Sequence, residues 1–462
     1  MSSRVLLAAM AAACLLTATG GAAPVASQSA TIGTGISQPP PAFPLKVSEN
    51  RRYLVDQHNV PFMMVGDSPQ ALIGNVSLAD SKEYIENRAK YSINTLWINL
   101  VCNSGTACSG SGTTYDGVAP FTTPGDLSTP NTVYFDRADA VIRLAAANGM
   151  VVLLDPIETA GWLSVLRANG VAKARAYGEY LGSRYRSFPN IIWLHGNDFQ
   201  TWRIPFDDAV VKAVAEGIRS VDHVHLHTVE LNYLASGSLD DPGWAPLIDL
   251  EAAYTYMPTY VQVLAGYNRP QILPTFLIEA NYEFEKNYGT DGASVSNLRR
   301  QEYWTMLCGA TGQLYGNRYT WRFPADWKTK LDTPGVQQLQ YMARFFGARR
   351  WFDLVPDQDH ATVTAGYGRF YRKRHLERIE YVTAARTADG HLLIAYLPAG
   401  RTITVDMKRL AGGLTAQWFD PTDGSYRPAS YRSVANSDSR DFTPPGRNRA
   451  GDTDWILFLS DN

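Results

Sequence analysis

The sequence predicts an α/β protein in which a (β/α)₈ barrel is followed by a small antiparallel β-sandwich. Eight apolar, strand-like runs alternate with amphipathic runs over roughly 290 residues, which is the count and length of such a barrel. Several runs are continuously apolar, as in Met150-Val-Val-Leu-Leu and Asn190-Ile-Ile-Trp-Leu, which is typical of parallel strands buried on both faces. After about Pro356 the pattern changes to short alternating runs separated by turns.

The first thirty residues have the pattern of a secretory signal peptide. Arg4 supplies a positive charge, Val5–Ala18 is apolar, and small residues from Gly20 onward suit cleavage between Ala23 and Ala30. The apolar stretch is too short for stable membrane insertion, and Cys14 lies in a poor lipoprotein box. We expect residues 1–30 to be removed on export to the periplasm or medium, and residues 31–45 to form a flexible, proline-rich leader.

Residues 46–355 carry the predicted barrel. Its strand candidates are Phe62–Asp67, Ile93–Val101, Met150–Ile157, Asn190–Asp198, Val224–Glu230, Asp249–Tyr256, Ile272–Glu279 and Gly312–Trp321. Helical runs lie near 79–90, 136–148, 170–186, 206–220, 258–266, 294–308 and 335–346, whereas Leu231–Ile248 looks like a loop. A doubly wound sheet is the rival fold, but its usual glycine-rich nucleotide loop does not follow the first strand. We therefore favour a barrel and expect no cofactor.

Residues 356–462 are predicted to form the β-sandwich. Turn pairs occur at Asp389-Gly390, Gly412-Gly413 and Asp423-Gly424. The alternating runs between them begin at Ile379, His391, Thr402, Ala416 and Asp454.

Composition narrows the class of partner. The 462-residue chain has a formal charge of −2, which gives no reason to expect nucleic acid or an anionic membrane as a partner. Its 11 Trp, 25 Tyr and 17 Phe suit either a large core or stacking on sugar rings. The oligomeric state is left open.

Three cysteines follow the predicted signal peptide. Cys102 and Cys108 are six residues apart in a polar loop, so they form either a disulfide or two free thiols. Cys308 lies in a helical run and is expected in the core, and the lack of a C-x-x-C pair argues against structural zinc.

Polar residues collect where the predicted strands end. Asp198 ends the fourth strand and Glu279 the seventh. Because the carboxyl ends of barrel strands form one face, the two carboxylates are expected to meet there, as a glycosidase requires. Period-two alternation from Ile192, Leu194 and Gly196, and from Leu273, Thr275 and Leu277, is expected to point both inward. The alternative role for Asp198 is a helix N-cap.

Other strand-end residues are weaker candidates. Asp67 and Glu158 are expected to bind sugar hydroxyls or else to form ion pairs and caps, and Glu230 is a third carboxylate that could replace either main one. Glu283 and Glu285 are expected at the surface or pocket rim. Sugar-stacking or sugar-binding positions are Trp162, Tyr256, Asn281, Tyr282 and Trp321, with core packing as the alternative for the aromatic rings. The histidines at 195, 223, 225 and 227 are expected to be structural and not metal ligands.

Three segments resemble a known family: Arg52–Gln57 with Pro61–Ser68, Asn190–Asp198, and Pro274–Asn281. They are similar to the apiosidase-like glycoside hydrolases (family 140), whose catalytic barrel is accompanied by a collagen-binding-type β-sandwich. The broader clan has Glu where this chain has Asp198, whereas Asp is what the apiosidase-like family implies. Gly-Asn-Asp replaces that family's more typical Gly-Gly-Asp, which affects the expected substrate more than the mechanism.

The resemblance implies a retaining glycosidase. Glu279 is the implied nucleophile and Asp198 the acid/base, while Asn197 is expected to hold the sugar 2-hydroxyl. The expected substrate is a plant or microbial oligo- or polysaccharide with a branched or furanose sugar. The alternatives are a non-catalytic carbohydrate-binding protein and a cell-surface adhesion protein that uses the sandwich.

Overall fold

The structure is a computed structural model that describes residues 40–287, 294–429 and 435–461. The predicted signal peptide and most of the predicted leader lie outside these residues. Within the described parts of the chain, no helix is both long and apolar enough to cross a membrane.

Eight parallel strands form the predicted barrel. They are β1 (Met64–Asp67), β2 (Thr95–Asn99), β3 (Val151–Asp155), β4 (Ile191–Phe199), β5 (Leu226–Leu231), β6 (Glu251–Thr255), β7 (Thr275–Glu279) and β8 (Gly312–Tyr315). Their order in the sheet is β5-β4-β3-β2-β1-β8-β7-β6. The carboxyl ends of all eight strands therefore lie at one face, called the mouth below.

The barrel closes between β5 and β6. The Asp249 amide donates to the His227 carbonyl at 2.8 Å, which bridges the two strands. The prediction that Leu231–Ile248 is only a loop is wrong, because Ala235–Gly237 pairs antiparallel with β6. Two short 3₁₀ turns follow this segment.

Apolar side chains fill the barrel interior. Trp97, Leu153, Ile192 and Phe276 belong to one buried cluster, which the N-terminal residue Leu45 also joins. The barrel interior below the mouth therefore contains a large apolar layer.

Helices surround the barrel on its outer side. They are α1 (Leu78–Lys90), α2 (Thr132–Ala147), α3 (Thr159–Tyr185), α4 (Pro205–Val221), α5 (Thr259–Tyr267), α6 (Val295–Leu307) and α7 (Pro334–Gly347). The predicted eighth strand is too long, because a short helix, Arg318–Arg322, replaces its second half. Asn317 caps that helix by accepting the Tyr319 amide at 2.9 Å, an interaction that favours helix over strand.

The loop after β2 contains a disulfide between Cys102 and Cys108. Both sulfur atoms lie against Gly74, where a methyl group would approach them at 3.0–3.1 Å. Cys308 is a buried free thiol. The disulfide thus packs the loop closely against the barrel.

The C-terminal region contains two antiparallel sheets. Their strands are β9 (Leu354–Pro356), β10 (Val363–Ala365), β11 (Thr383–Thr387), β12 (Leu392–Leu397), β13 (Ile403–Asp406), β14 (Thr415–Phe419), β15 (Tyr426–Pro428), β16 (Ser439–Phe442) and β17 (Trp455–Ser460). One sheet has the order β9-β11-β12-β17-β14-β15 and the other β10-β13-β16. A strand beginning at Ile379 is not found, because a 3₁₀ turn at Leu376–Arg378 delays the strand to Thr383.

The larger sheet packs on the barrel helices. Tyr303 of α6 stacks on Tyr396 with ring centroids 5.2 Å apart, and Phe345 of α7 lies 4.6 Å from Phe419. Buried Arg299 of α6 pairs with Asp454 at 2.8 Å. The sandwich and the barrel therefore share a hydrophobic core, although the sandwich has a second core of its own.

Candidate active site

Asp198 reaches the mouth through a distortion of β4. Residues His195 and Phe199 pair with Val229 and Leu231 of β5, so three residues of β4 oppose one residue of β5. All three, Gly196, Asn197 and Asp198, have positive φ angles of 103°, 63° and 53°. This β-bulge turns the Asp198 side chain independently of the strand's alternation.

Gly196 is required where the bulge approaches β5. A Cβ atom at this position would lie 2.2 Å from the Glu230 carbonyl oxygen. Glu230 also accepts the Asp198 amide at 3.0 Å through its side chain. The close packing of Gly196 against the Glu230 backbone and the hydrogen bond from the Asp198 amide to the Glu230 carboxyl group together hold the turn in place.

Glu279 reaches the mouth through a second bulge. Leu277 and Glu279 pair with the consecutive residues Ala253 and Tyr254, which leaves Ile278 as an extra residue in β7. The inward residues below the bulge are Phe276 and Ile278, not the predicted Leu273, Thr275 and Leu277. The alternation argument was therefore wrong for this strand, because the bulge reverses its phase.

Tyrosine hydroxyls surround the Glu279 carboxyl group. Tyr256 donates to Oε1 and Tyr282 donates to Oε2 at 2.9 Å, and the Tyr254 hydroxyl lies 3.1 Å from Oε1. Tyr256 and Tyr282 were predicted as sugar-stacking positions, whereas Tyr254, two residues before Tyr256 on the same face of β6, was not among the predicted binding residues. The Tyr256 and Tyr282 donors favour the ionised form of Glu279.

Tyr254 connects the two main carboxylates. Its hydroxyl lies 2.9 Å from Asp198 Oδ1 and 3.1 Å from Glu279 Oε1. These two oxygen atoms are consequently no more than about 6 Å apart, the sum of the two distances. The structure thus brings together the residues predicted at the ends of strands four and seven.

The site contains more carboxyl groups than can be ionised together at neutral pH. Burial raises the pKa of Asp198, burial and repulsion from Asp198 raise that of Glu279, and burial raises the pKa of Glu230 well above its usual range. Asp155, at the end of β3, is also buried and its pKa is raised in the same way. Within the described residues none of the four carboxyl groups forms an ion pair, so at neutral pH the group retains protons.

Amides form one wall of the site. The Asn197 side chain lies 3.4 Å from both Gln70 Oε1 and Asn99 Oδ1. The Asn99 Nδ2 atom is buried and has no hydrogen-bond partner in the described part of the chain. Gln70 and Asn99 were not predicted, although Asn99 ends β2 as Asp155 ends β3.

Two predicted sugar-binding acids have structural roles. Asp67 is fully buried and pairs with Arg88 at 2.5 Å and with the Tyr84 hydroxyl at 2.6 Å. Glu158 caps α3 by accepting the Gly161 amide at 2.7 Å, and burial raises its pKa to about 8. Asp67 therefore forms an ion pair and Glu158 a helix cap, which were the alternative expectations for these two residues.

Several other predicted positions have hydrogen bonds or packing contacts within the protein. Asn281 is buried and bonds Gln301 at 2.7 Å, and Trp321 donates from the short helix to half-buried Glu285 at 2.6 Å. Trp162 is buried against Phe121. Glu283 was expected at the surface or pocket rim but is buried, and it accepts hydrogen bonds from Tyr315, Thr333 and Gly335.

The histidines form buried pairs. His195 Nε2 lies 3.0 Å from His227 Nδ1, and burial lowers the pKa of both rings, that of His195 to about 3. His225 bonds Asp222 at 2.7 Å and the Phe188 carbonyl at 2.6 Å. These contacts are those of structural histidines.

Comparison with known proteins gives two family matches. The model "Apiosidase-like, catalytic domain" matches residues 48–353, and "Putative collagen-binding domain of a collagenase" matches residues 371–460. No curated protein matches the chain.

Solved structures share the fold. One is described as a glycoside hydrolase, with 22% identity, a TM-score of 0.77, and coverage of 91% of this chain and 97% of that chain. Another is a glycoside hydrolase family 5 protein from Bacteroides vulgatus, with 22% identity, a TM-score of 0.76, and coverage of 90% and 93%. The apiosidase-like model covers most of the chain and favours the catalytic prediction over the non-catalytic alternatives. The chain belongs to the apiosidase-like glycoside hydrolases and is a glycosidase.

Proposed function

We propose that the protein is an exported, retaining glycoside hydrolase that cleaves a glycosidic bond in plant or microbial polysaccharide. The observation that carries the proposal is the Tyr254 hydroxyl, which contacts both Asp198 and Glu279. Retaining enzymes hold their two carboxyl groups about 5–5.5 Å apart, whereas inverting enzymes leave about 6.5–9.5 Å for a water molecule. Facing oxygens within about 6 Å support retention.

Glu279 is the proposed nucleophile. Tyr256 and Tyr282 each donate to Glu279 and favour its ionised form, whereas the single proton of Tyr254 is shared between Asp198 and Glu279. We therefore assign to Asp198 the proton that this pair of buried carboxyl groups retains at neutral pH. This distribution is the one that a retaining mechanism needs in its first step.

The reaction then proceeds in two displacements. The Glu279 carboxylate attacks the anomeric carbon while Asp198 donates its proton to the departing oxygen, and a covalent glycosyl-enzyme forms. Asp198, now ionised, takes a proton from a water molecule that attacks the same carbon and releases Glu279. Net retention follows from the two inversions.

The amide wall provides the contacts for the sugar. Gln70, Asn99 and Asn197 present donors and acceptors next to the two carboxylates. The Asn99 amide nitrogen, which is buried without a partner among the described residues, suits a sugar hydroxyl. The family's name supports a branched or furanose sugar at this position.

The mechanism is tested with Glu279→Ala and Asp198→Ala. Glu279→Ala should abolish turnover without loss of folding, whereas Asp198→Ala should retain slow turnover of substrates with good leaving groups and be rescued by azide. The rescued product should be a glycosyl azide of retained configuration, identified by NMR. Glu216→Ala, an exposed carboxylate on α4, is the control. Normal turnover by Glu279→Ala, or an inverted product, would contradict the proposal.

Substrate and export are tested separately. Product analysis on a panel of plant and bacterial glycans should identify the released sugar. The signal-like pattern of residues 1–30 supports export, and N-terminal sequencing of the protein from the periplasm and medium should find a mature end between Ala23 and Ala30. An uncleaved cytoplasmic protein, or a lipid on Cys14, would contradict unanchored export.

A further inference from the structure

A strongly basic segment lies between strands β10 and β11 of the C-terminal region. Residues 369–378 read Arg-Phe-Tyr-Arg-Lys-Arg-His-Leu-Glu-Arg, so five of ten residues are Arg or Lys and one is Glu. The whole chain has a formal charge of −2, and this concentration is therefore local. The proposed catalytic chemistry does not use it.

Much of this charge faces solvent without a partner. Arg369, Arg372 and Lys373 are exposed and form no ion pair within residues 40–287, 294–429 and 435–461. Arg378 has a weak contact with Glu377 at 3.9 Å. The basic segment consequently attracts anions from solution, and salt should screen this attraction.

The basic segment is held firmly against α5. The Tyr260 hydroxyl donates to the Tyr371 carbonyl at 2.8 Å and accepts the Tyr371 amide at 3.1 Å. The Phe370 ring lies 4.8 Å from the Tyr260 ring and 5.2 Å from the Tyr381 ring. A ligand would therefore meet an ordered surface, which lowers the entropic cost of binding.

A groove of about 510 Å³ lies beside the segment. This volume falls within the range of about 300–1,000 Å³ that small-molecule sites occupy. Apolar side chains of α5 form its floor, and Phe370, Arg372, Asn268 and Gln358 also line it. Phe370 is 39% exposed, so one aromatic ring is accessible next to a guanidinium group and two amides.

We propose that the basic segment and this groove bind a polysaccharide that carries carboxylate groups on its sugar rings. Phe370 would contact the apolar face of a ring, while Arg372 would pair with its carboxylate and the amides with its hydroxyls. None of the lining residues belongs to the mouth, so the site is separate from the catalytic one. It would hold an acidic polymer on the enzyme whichever sugar is cleaved.

The surface fits other polyanions less well. Single-stranded nucleic acid is bound through several stacking rings along a basic track, whereas this groove offers one exposed ring. An anionic membrane requires an amphipathic face that enters the headgroup region, and the aromatic and amide groups here line a concavity.

The test measures binding of the full chain to polygalacturonate by thermophoresis. All proteins carry Asp198→Asn, so that no cleavage intervenes. The variant Arg369→Gln, Arg372→Gln, Lys373→Gln should bind about tenfold more weakly, because three exposed charge contacts are lost. The control Arg143→Gln, Arg186→Gln, Lys408→Gln removes the same charge from exposed positions elsewhere and should bind like the parent.

A second variant separates sugar recognition from charge. Phe370→Leu keeps an apolar side chain but removes the ring, so it should weaken binding of polygalacturonate and leave dextran sulfate unaffected. Equal loss in the two triple variants, or none in either, would overturn the proposal. Equally tight binding of dextran sulfate, DNA or anionic vesicles, with no effect of Phe370→Leu, would also overturn it. These results are independent of the anomeric product, which tests the proposed function.

Discussion

Tyr256→Phe tests how the site divides its charge. The Tyr256 hydroxyl donates to Glu279 Oε1, and the ring itself is almost fully buried. Phenylalanine keeps the ring and removes only the donor. Because that donor stabilises the ionised form of Glu279, its loss should raise the pKa of this carboxyl group. The nucleophile would then be protonated up to a higher pH.

The size of the effect follows from the hydrogen bonds that remain. A hydrogen bond to a charged group contributes about 1.5–3 kcal/mol, and one pKa unit corresponds to about 1.36 kcal/mol. The full loss would therefore move the pKa by about one to two units. Tyr282 still donates to Glu279 at 2.9 Å, and the Tyr254 hydroxyl at 3.1 Å can turn its proton towards Glu279, so we expect a shift of about one unit.

The assay is the pH dependence of kcat/KM on the substrate that product analysis identifies. For two interacting acids this profile is bell-shaped, and its limits belong to the pair. Tyr256→Phe should move the acidic limit to higher pH by about one unit and the basic limit much less. Tyr134→Phe is the control, since this buried hydroxyl bonds the Leu100 carbonyl at 2.9 Å, outside the site. An unchanged acidic limit, or a shift in the control, would refute the reasoning.

Three further predictions concern strain, the disulfide and a buried acid. Gly196→Ala should lower kcat/KM by about 100-fold, because the new Cβ displaces the turn that carries Asp198; kcat/KM near that of the parent would contradict this. Replacing Cys102 and Cys108 by Ser should lower the free energy of unfolding by about 2 kcal/mol in urea titrations, and an effect equal to that of adding reductant is expected. Burial raises the pKa of Glu302 from 4.5 to about 8, so the folded protein keeps a proton that the unfolded chain releases, and stability falls as pH rises through this range. Glu302→Gln should therefore lose less Tm than the parent between pH 5 and 8, and identical losses would contradict the assignment.

The strands of the barrel could be predicted because their burial is visible in the sequence. Runs such as Met150-Val-Val-Leu-Leu have no polar face and must be covered on both sides, which a parallel barrel provides. Boundaries were less accurate, as at the eighth strand, where the cap formed by Asn317 starts a short helix. A local hydrogen bond of this kind competes with the sheet and is hard to detect in apolar periodicity.

The partners of buried acids could not be predicted from the sequence. Asp67 and Asp155 both end barrel strands, yet Arg88 approaches one of them and no cation pairs with the other among the described residues. Arg88 lies 21 positions beyond Asp67, on a helix whose rotation about its axis is set by packing. A position at a strand end therefore identifies an acidic residue as a candidate for the active site. The distance to the nearest cationic side chain then distinguishes acids in structural ion pairs from acids that are available for catalysis.

The positions of Asp198 and Glu279 show the limit of alternation most clearly. Both were expected to face inward by period-two alternation, but Asp198 lies within a bulge and Glu279 directly follows one, so the alternation is broken in both strands. In β4 the bulge places three consecutive residues at positive φ, a costly arrangement that persists only where surrounding contacts impose it. The Glu230 side chain provides such a contact, since it accepts the Asp198 amide from behind. The positive-φ turn therefore includes the residue proposed to transfer the proton, and the Glu230 side chain holds that turn by accepting the Asp198 amide.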